Sequence, residues 1–180
     1  MGSNEEQASM YTFTPMMEAD ARAIIAWRYD GEYVIYNIVG DEDDFTELLA
    51  EFLDRHSPYY AVRNAEVDAT GAPVGFFCYG SSAGIDFDES EPYLYNADGS
   101  LNAGLGLRPD LTGHGLGRAF TQAGVAFGVE QYHPTCIRFY VLPFNDRALR
   151  AYERAGFRRV GVVIQHGPQG ERPFVELRLP

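Results

Sequence analysis

The chain has 180 residues, 46% hydrophobic and 14% aromatic, which suits one domain with a sizeable core and excludes a chain disordered as a whole. A net charge of −12 excludes ordinary nucleic-acid binding, which depends on neutralising phosphates. No apolar run is long enough to span a bilayer and no secretory signal pattern opens the chain, so a cytoplasmic protein without membrane contact is expected.

In chain order, the polar start Met1–Ser9 reads as a flexible tail, and residues 10–180 as a single domain. Tyr11–Pro15 alternates and ends at a proline, so it predicts a strand. Met17–Trp27 has helical spacing, with Met17, Ala21, Ile24 and Ile25 on one face. The aromatic stretch Arg28–Asn37 follows, with a turn signal at Asp30-Gly31. Asp41–Asp44 heads a second helix that runs to about His56, before Pro58. Tyr59–Val67 and Val74–Tyr79 predict strands joined by a hairpin turn over Asp68–Pro73. Gly80–Ser100 predicts a long loop. Cys78 and Cys136 fall in apolar stretches and read as buried free thiols; no metal-ligand spacing surrounds them, and no metal site is expected.

Gly104–Arg108 predicts a strand stopped by Pro109. A turn with Gly113, Gly115 and Gly117 leads into a helix whose apolar residues, Leu116, Ala119, Phe120, Ala123 and Phe127, share one face. Cys136–Leu142 predicts a strand ended by Pro143. Asn145 caps a helix that stops at Gly156, and Val160–Ile164 and Phe174–Leu179 close as a hairpin across Gly167–Gly170. Interleaved strands and helices with hairpins in both halves predict an α/β fold. Its central sheet is mixed, largely antiparallel and flanked by helices.

The glycine turn carries the chemistry. Glycines at that spacing leave main-chain N–H groups uncovered, and a helix beginning there directs its positive dipole end outward, which suits a phosphate. Charge distribution agrees: residues 1–100 hold 20 acidic side chains and 4 arginines, whereas residues 101–180 hold 6 acidic side chains and 10 arginines. A mononucleotide P-loop is excluded because the chain has no lysine, and a dinucleotide fingerprint because the third glycine comes one residue early. The stretch Thr112–Gly117 resembles the pyrophosphate loop of the GNAT superfamily of acyl-CoA N-acyltransferases, Arg/Gln-x-x-Gly-x-Gly/Ala. Gly115 and Gly117 stand on its glycine positions, and Thr112 where arginine or glutamine is usual. A second segment is similar to the same family's pattern Asn-x-x-Ala-x-x-x-Tyr-x-x-x-Gly-Phe, through Asn145, Ala148, Tyr152, Gly156 and Phe157.

This resemblance implies a GNAT fold and an N-acetyltransferase that uses acetyl-CoA. The implied cofactor residues are Leu105, Gly106 and Leu107 for the pantetheine arm, and Thr112, Gly113, His114, Gly115, Leu116, Gly117 and Arg118 for the pyrophosphate. Asn145 and Ala148 line the same groove. A strand N–H near Leu107 would stabilise the oxyanion, and Tyr152 would protonate the departing thiolate. Trp27, Tyr29, Tyr33 and Tyr36 lie where the family builds its acceptor pocket; with Asp30 and Glu32 beside them they suit a small cationic amine. No general base is assigned among the candidates Asp86, Asp88, Glu89 and His114. A protein N-terminus or lysine is the alternative acceptor, and a non-catalytic CoA-binding sensor the alternative role. A homodimer is compatible with the chain.

Overall fold

A computed structural model describes residues 10–38, 40–56, 58–85, 93–167 and 170–180. The elements are β1 (Thr12–Pro15), α1 (Glu18–Ile25), α2 (Glu42–Phe52), β2 (Tyr59–Arg63), β3 (Gly75–Tyr79), β4 (Leu101–Leu107), α3 (Gly117–Tyr132), β5 (Ile137–Val141), α4 (Asp146–Arg154), β6 (Arg158–Gly167) and β7 (Gly170–Leu179). Short 3-10 turns cover Gly31–Tyr36, Ser81–Ala83 and Pro109–Leu111. The strands form one seven-stranded sheet in the order β1-β2-β3-β4-β5-β7-β6. Pairing is antiparallel except between β4 and β5. The mixed, largely antiparallel sheet expected from the sequence is therefore present. The tail Met1–Ser9 and the base candidates Asp86, Asp88 and Glu89 lie outside the described residues.

Local chemistry explains where the helices begin. At α2, the Asp41 carboxylate accepts from the Asp43 and Asp44 N–H groups at 2.9 and 3.1 Å, while Asp44 accepts from the Asp41 N–H at 3.1 Å. That reciprocal box uses the acidic run as a cap. At α1 the expected face is corrected. Met17 is the cap residue and is 64% exposed, whereas Asp20 is buried and accepts from Arg63 Nη2 at 2.6 Å. The strand expected over Tyr59–Val67 stops at Arg63, because Asn64 turns the chain: its Oδ1 accepts from the Glu66 N–H and its carbonyl from the Val67 and Asp68 N–H groups.

Helix α3 packs closer to the sheet than its apolar spacing suggests. Its buried residues are Phe120, Thr121, Ala123, Gly124 and Gly128, whereas Leu116, Ala119 and Phe127 are only half-buried. A Cβ on Gly124 would lie 2.0 Å from Phe77 Cζ, and one on Gly128 would lie 2.9 Å from Tyr79 Cε1. The missing side chains let the helix rest directly on the rings of β3. One apolar cluster, including Phe77, Phe120, Phe139 and Tyr152, joins β3, β5, α3 and α4; a second joins α1, α2, Tyr59, Ala61 and Cys78. Cys78 is buried, as expected, but Cys136 is half-buried; both are free. No helix among the described residues is long and apolar enough to cross a membrane, and none of those residues form a group of three or more potential His, Cys, Asp or Glu metal ligands.

Candidate active site

The sheet opens at its centre. β4 and β5 pair only at Leu101–Ile137 and Asn102–Arg138, and beyond that point β4 continues on β3 alone. The register settles which main-chain groups face the gap. The Arg108 N–H donates to the Val74 carbonyl and the Gly80 N–H to the Asn102 carbonyl, both at 2.9 Å, so even-numbered residues of β4 turn their polar groups toward β3. Odd-numbered residues turn theirs the other way: the Leu101 N–H reaches the Cys136 carbonyl at 2.9 Å. Leu105 and Leu107 thus present main-chain groups to the gap, where the register gives them no strand partner. The Leu107 carbonyl accepts from the Tyr29 hydroxyl at 2.9 Å.

The glycine turn stands at the mouth of this gap. Gly113 and Gly115 have φ of +79° and +82°, which a side chain would strain, and around a Cβ on Gly115 there is only open space. Leu116 provides no side-chain cap for α3, so the first-turn N–H groups stay available. A Cβ on Gly117 would lie 3.2 Å from Ala151 Cβ, so that glycine allows α3 and α4 to meet. The Thr112 hydroxyl is engaged within the turn, donating to the Pro109 carbonyl at 2.8 Å. Arg147 joins the turn from α4, with Nη1 at 3.5 Å from Thr112 Oγ1 and its guanidinium 3.6 Å above the Tyr33 ring.

Asn145 caps α4 by accepting from the Ala148 N–H at 3.1 Å, and its Nδ2 donates to the Tyr36 hydroxyl at 2.9 Å. Two turns further on, Tyr152 is buried and stacks on Phe139, with centroids 4.4 Å apart. Its hydroxyl has no hydrogen-bond partner among the described residues. Burial, then the neighbouring Tyr36 and Cys78, holds this phenol above the ordinary tyrosine value. Tyr29 is pushed up to about 12, first by burial and then by Tyr36.

A cavity of about 550 Å³ runs through the gap. It brings together Leu105, Gly106, Leu107, Thr112, Gly113, Gly115, Gly117, Arg118, Asn145, Ala148 and Tyr152 with the aromatics Trp27, Tyr29, Tyr33 and Tyr36, of which Tyr33 and Tyr36 meet Arg147 and Asn145. His114 and Leu116 are not among its lining residues; His114 is exposed, with Nδ1 2.9 Å from the Thr112 carbonyl. Asp30 and Glu32 line an adjoining outer hollow with Arg28, Asp110 and Arg147; it shares Tyr29, Tyr33, Thr112 and Arg147 with the main cavity. The sequence missed Arg147, Arg150 and Arg154, all of which line the main cavity. Their spacing along α4 was the available signal. Phe52 and Phe76 were missed too, and read alone they look like core.

The parted sheet, with an uncapped helix at the mouth of the gap, defines a class: an α/β protein with a cleft between two strands of its own central sheet. A model of the acetyltransferase (GNAT) domain matches residues 11–158. The protein belongs to that family. Mycothiol acetyltransferases are among its relatives. The one from Propionibacterium freudenreichii subsp. shermanii is 40% identical over 68 residues, covering 36% of this chain and 20% of the relative. That from Cellulomonas flavigena is 28% identical over 142 residues, covering 71% and 40%. The chain thus matches at most two-fifths of the length of these relatives. Among solved structures, an aminoglycoside acetyltransferase in complex with coenzyme A superposes with a TM-score of 0.68 at 23% identity, covering 94% of both chains. A spermidine N-acetyltransferase from Vibrio cholerae, in complex with CoA and spermine, gives 0.68 at 17% identity, covering 95% of both. These two likenesses concern the fold.

Proposed function

We propose that the protein transfers an acetyl group from acetyl-CoA to a primary amine on a small molecule. The observation that carries this reading is the Tyr152 hydroxyl, which is unpartnered among the described residues and lines the cavity between the open edge of β4 and the glycine turn. The residues fit the ligand at both ends. First-turn N–H groups of α3 and the Arg118 and Arg147 guanidiniums would hold the diphosphate, and a side chain at Gly115 would be strained there. Leu105 and Leu107 would pair with the pantetheine amides as a further strand does.

Acetyl-CoA supplies a thioester carbonyl and a thiolate leaving group. Toward that carbonyl the Leu107 N–H offers a fixed donor, already turned to the gap by the register. Tyr152 holds a proton at its phenolic oxygen for the departing sulfur. The stack on Phe139 fixes the ring, and burial keeps the phenol protonated at neutral pH. The amine attacks in its neutral form; the C–S bond breaks as the C–N bond forms, and the proton the nitrogen then sheds, passed through water, replaces the one Tyr152 gives to the sulfur, leaving amide and free thiol. The spermidine and aminoglycoside enzymes that share the fold support a small-molecule acceptor. Thiol release from acetyl-CoA, followed over a panel of amines, tests the reading. Cofactor binding without release on any amine would point to a sensor.

A further inference from the structure

We infer that the acceptor is a monoamine on an aromatic or branched-alkyl body, not a polycation, and that Trp27 and Phe76 select it. This rests on the transfer reading above and adds the acceptor's chemistry to it. The cavity is divided. Its charged lining residues, among those described, are Arg118, Arg147, Arg150 and Arg154, all on α3 and α4 around the glycine turn. None of its described lining residues is acidic.

The opposite end is formed by Ile24, Trp27, Ile38, Phe52 and Phe76 with Tyr29. The rings pack on one another, with centroids 6.3 Å apart for Trp27–Phe76 and 5.7 Å for Phe52–Phe76. Interleaved with the two isoleucines, they make a continuous apolar wall. That wall reaches the transfer position. A Cβ on Gly106 would lie 2.2 Å from Phe76 Cε1, so the Phe76 ring lies across β4 beside the strand edge that faces the gap.

An aryl or branched-alkyl body would exchange water for this wall, which is favourable in proportion to the apolar area buried. A second or third ammonium would be stripped of water with no carboxylate among the described lining residues to receive it, and with arginines in the same cavity. Asp30 and Glu32 do not remedy this, because they line the outer hollow beside Arg28 and Arg147.

The test is thiol release at saturating acetyl-CoA with 2-phenylethylamine, isoamylamine, ethylamine, spermidine and ribostamycin. Expected is a kcat/KM for 2-phenylethylamine at least roughly tenfold above those for spermidine and ribostamycin, the scale of discrimination an apolar pocket provides. Trp27→Leu should collapse the ratio between 2-phenylethylamine and ethylamine, and Phe76→Leu serves as the second variant should the first fold poorly. Spermidine or ribostamycin matching the aryl amine would overturn the inference while leaving amine transfer intact. A parallel thermal-shift series with CoA reads acceptor chemistry without turnover. Added stabilisation by 2-phenylethylamine and not by spermidine supports the inference; the reverse, or neither, overturns it. Silence of all five amines in the release assay overturns the transfer reading itself.

Discussion

Tyr152→Phe removes one hydroxyl and leaves the packing in place. The ring stacks on Phe139 at 4.4 Å with 15° between planes, and Phe157 lies 6.2 Å away. Because the hydroxyl has no partner among the described residues, the fold loses none of the roughly 1 kcal/mol that a hydrogen bond contributes. The melting temperature should therefore hold. Turnover should not: a positioned general acid contributes about 10²–10⁴-fold, or about 2.7–5.4 kcal/mol of barrier. The assay is thiol release with kcat and KM resolved separately, together with calorimetric titration of CoA. Expected is a kcat loss of at least about a hundredfold with CoA affinity unchanged. Equal losses in both, or a kcat close to wild type, would remove Tyr152 from the acid role. The pH profile carries a sign of its own. The acid works in its protonated form, which exists below its pKa, and burial has raised that pKa above the ordinary value. kcat should rise as the amine deprotonates and show no falling limb below about pH 10. A decline beginning near neutrality would contradict the assignment.

Other consequences can be checked separately. Gly115→Val places a branched side chain at a φ of +82°; strain of about 1–2 kcal/mol is expected, with CoA affinity falling by more than that strain alone accounts for. Cys78 is buried and its thiol pushed up to about 12, by burial first and then by Glu51. In the native protein at pH 8 a thiol reagent should therefore modify Cys136 first, and rapid labelling of Cys78 would show that the sheet opens locally. Asp68 is held at about 2 by hydrogen bonds from Thr70 and Arg108, and Asp98 and Asp110 are lowered by bonds from Ser100 and Arg108. Carboxylates depressed in the folded state stabilise it above their unfolded value of about 4, and that contribution disappears as pH falls through the folded values. Unfolding followed by circular dichroism should therefore set in below about pH 4; full stability persisting to pH 2 would discount these pairs.

The features legible in the sequence are those written in local chemistry. Asn145 caps a helix, the acidic run from Asp41 heads another, Pro109 and Pro143 end strands, and Gly113 and Gly115 mark a tight turn; each rule acts over a few residues, and each appears in the structure. Features set by distant partners were less visible. The hairpin predicted over Val160–Ile164 and Phe174–Leu179 extends to Arg158–Gly167 and Gly170–Leu179, because cross-strand pairing carries polar residues such as Gln165 and Glu171 into the ladder. The apolar spacing of α3 did not single out Gly124 and Gly128, where the helix meets Phe77 and Tyr79. The same holds in the site. Tyr152 and the turn belong to spaced motifs, while the apolar wall of Phe52 and Phe76 arises only when α2 and β3 come together.

A crystal structure with coenzyme A bound would show where the cofactor lies. The diphosphate should lie on the N–H groups at the start of α3, with Arg118 and Arg147 beside it. The pantetheine should pair with Leu105 and Leu107, and the sulfur should lie within hydrogen-bond reach of the Tyr152 hydroxyl. Coenzyme A found elsewhere on the surface, or bound with its sulfur far from Tyr152, would contradict this placement.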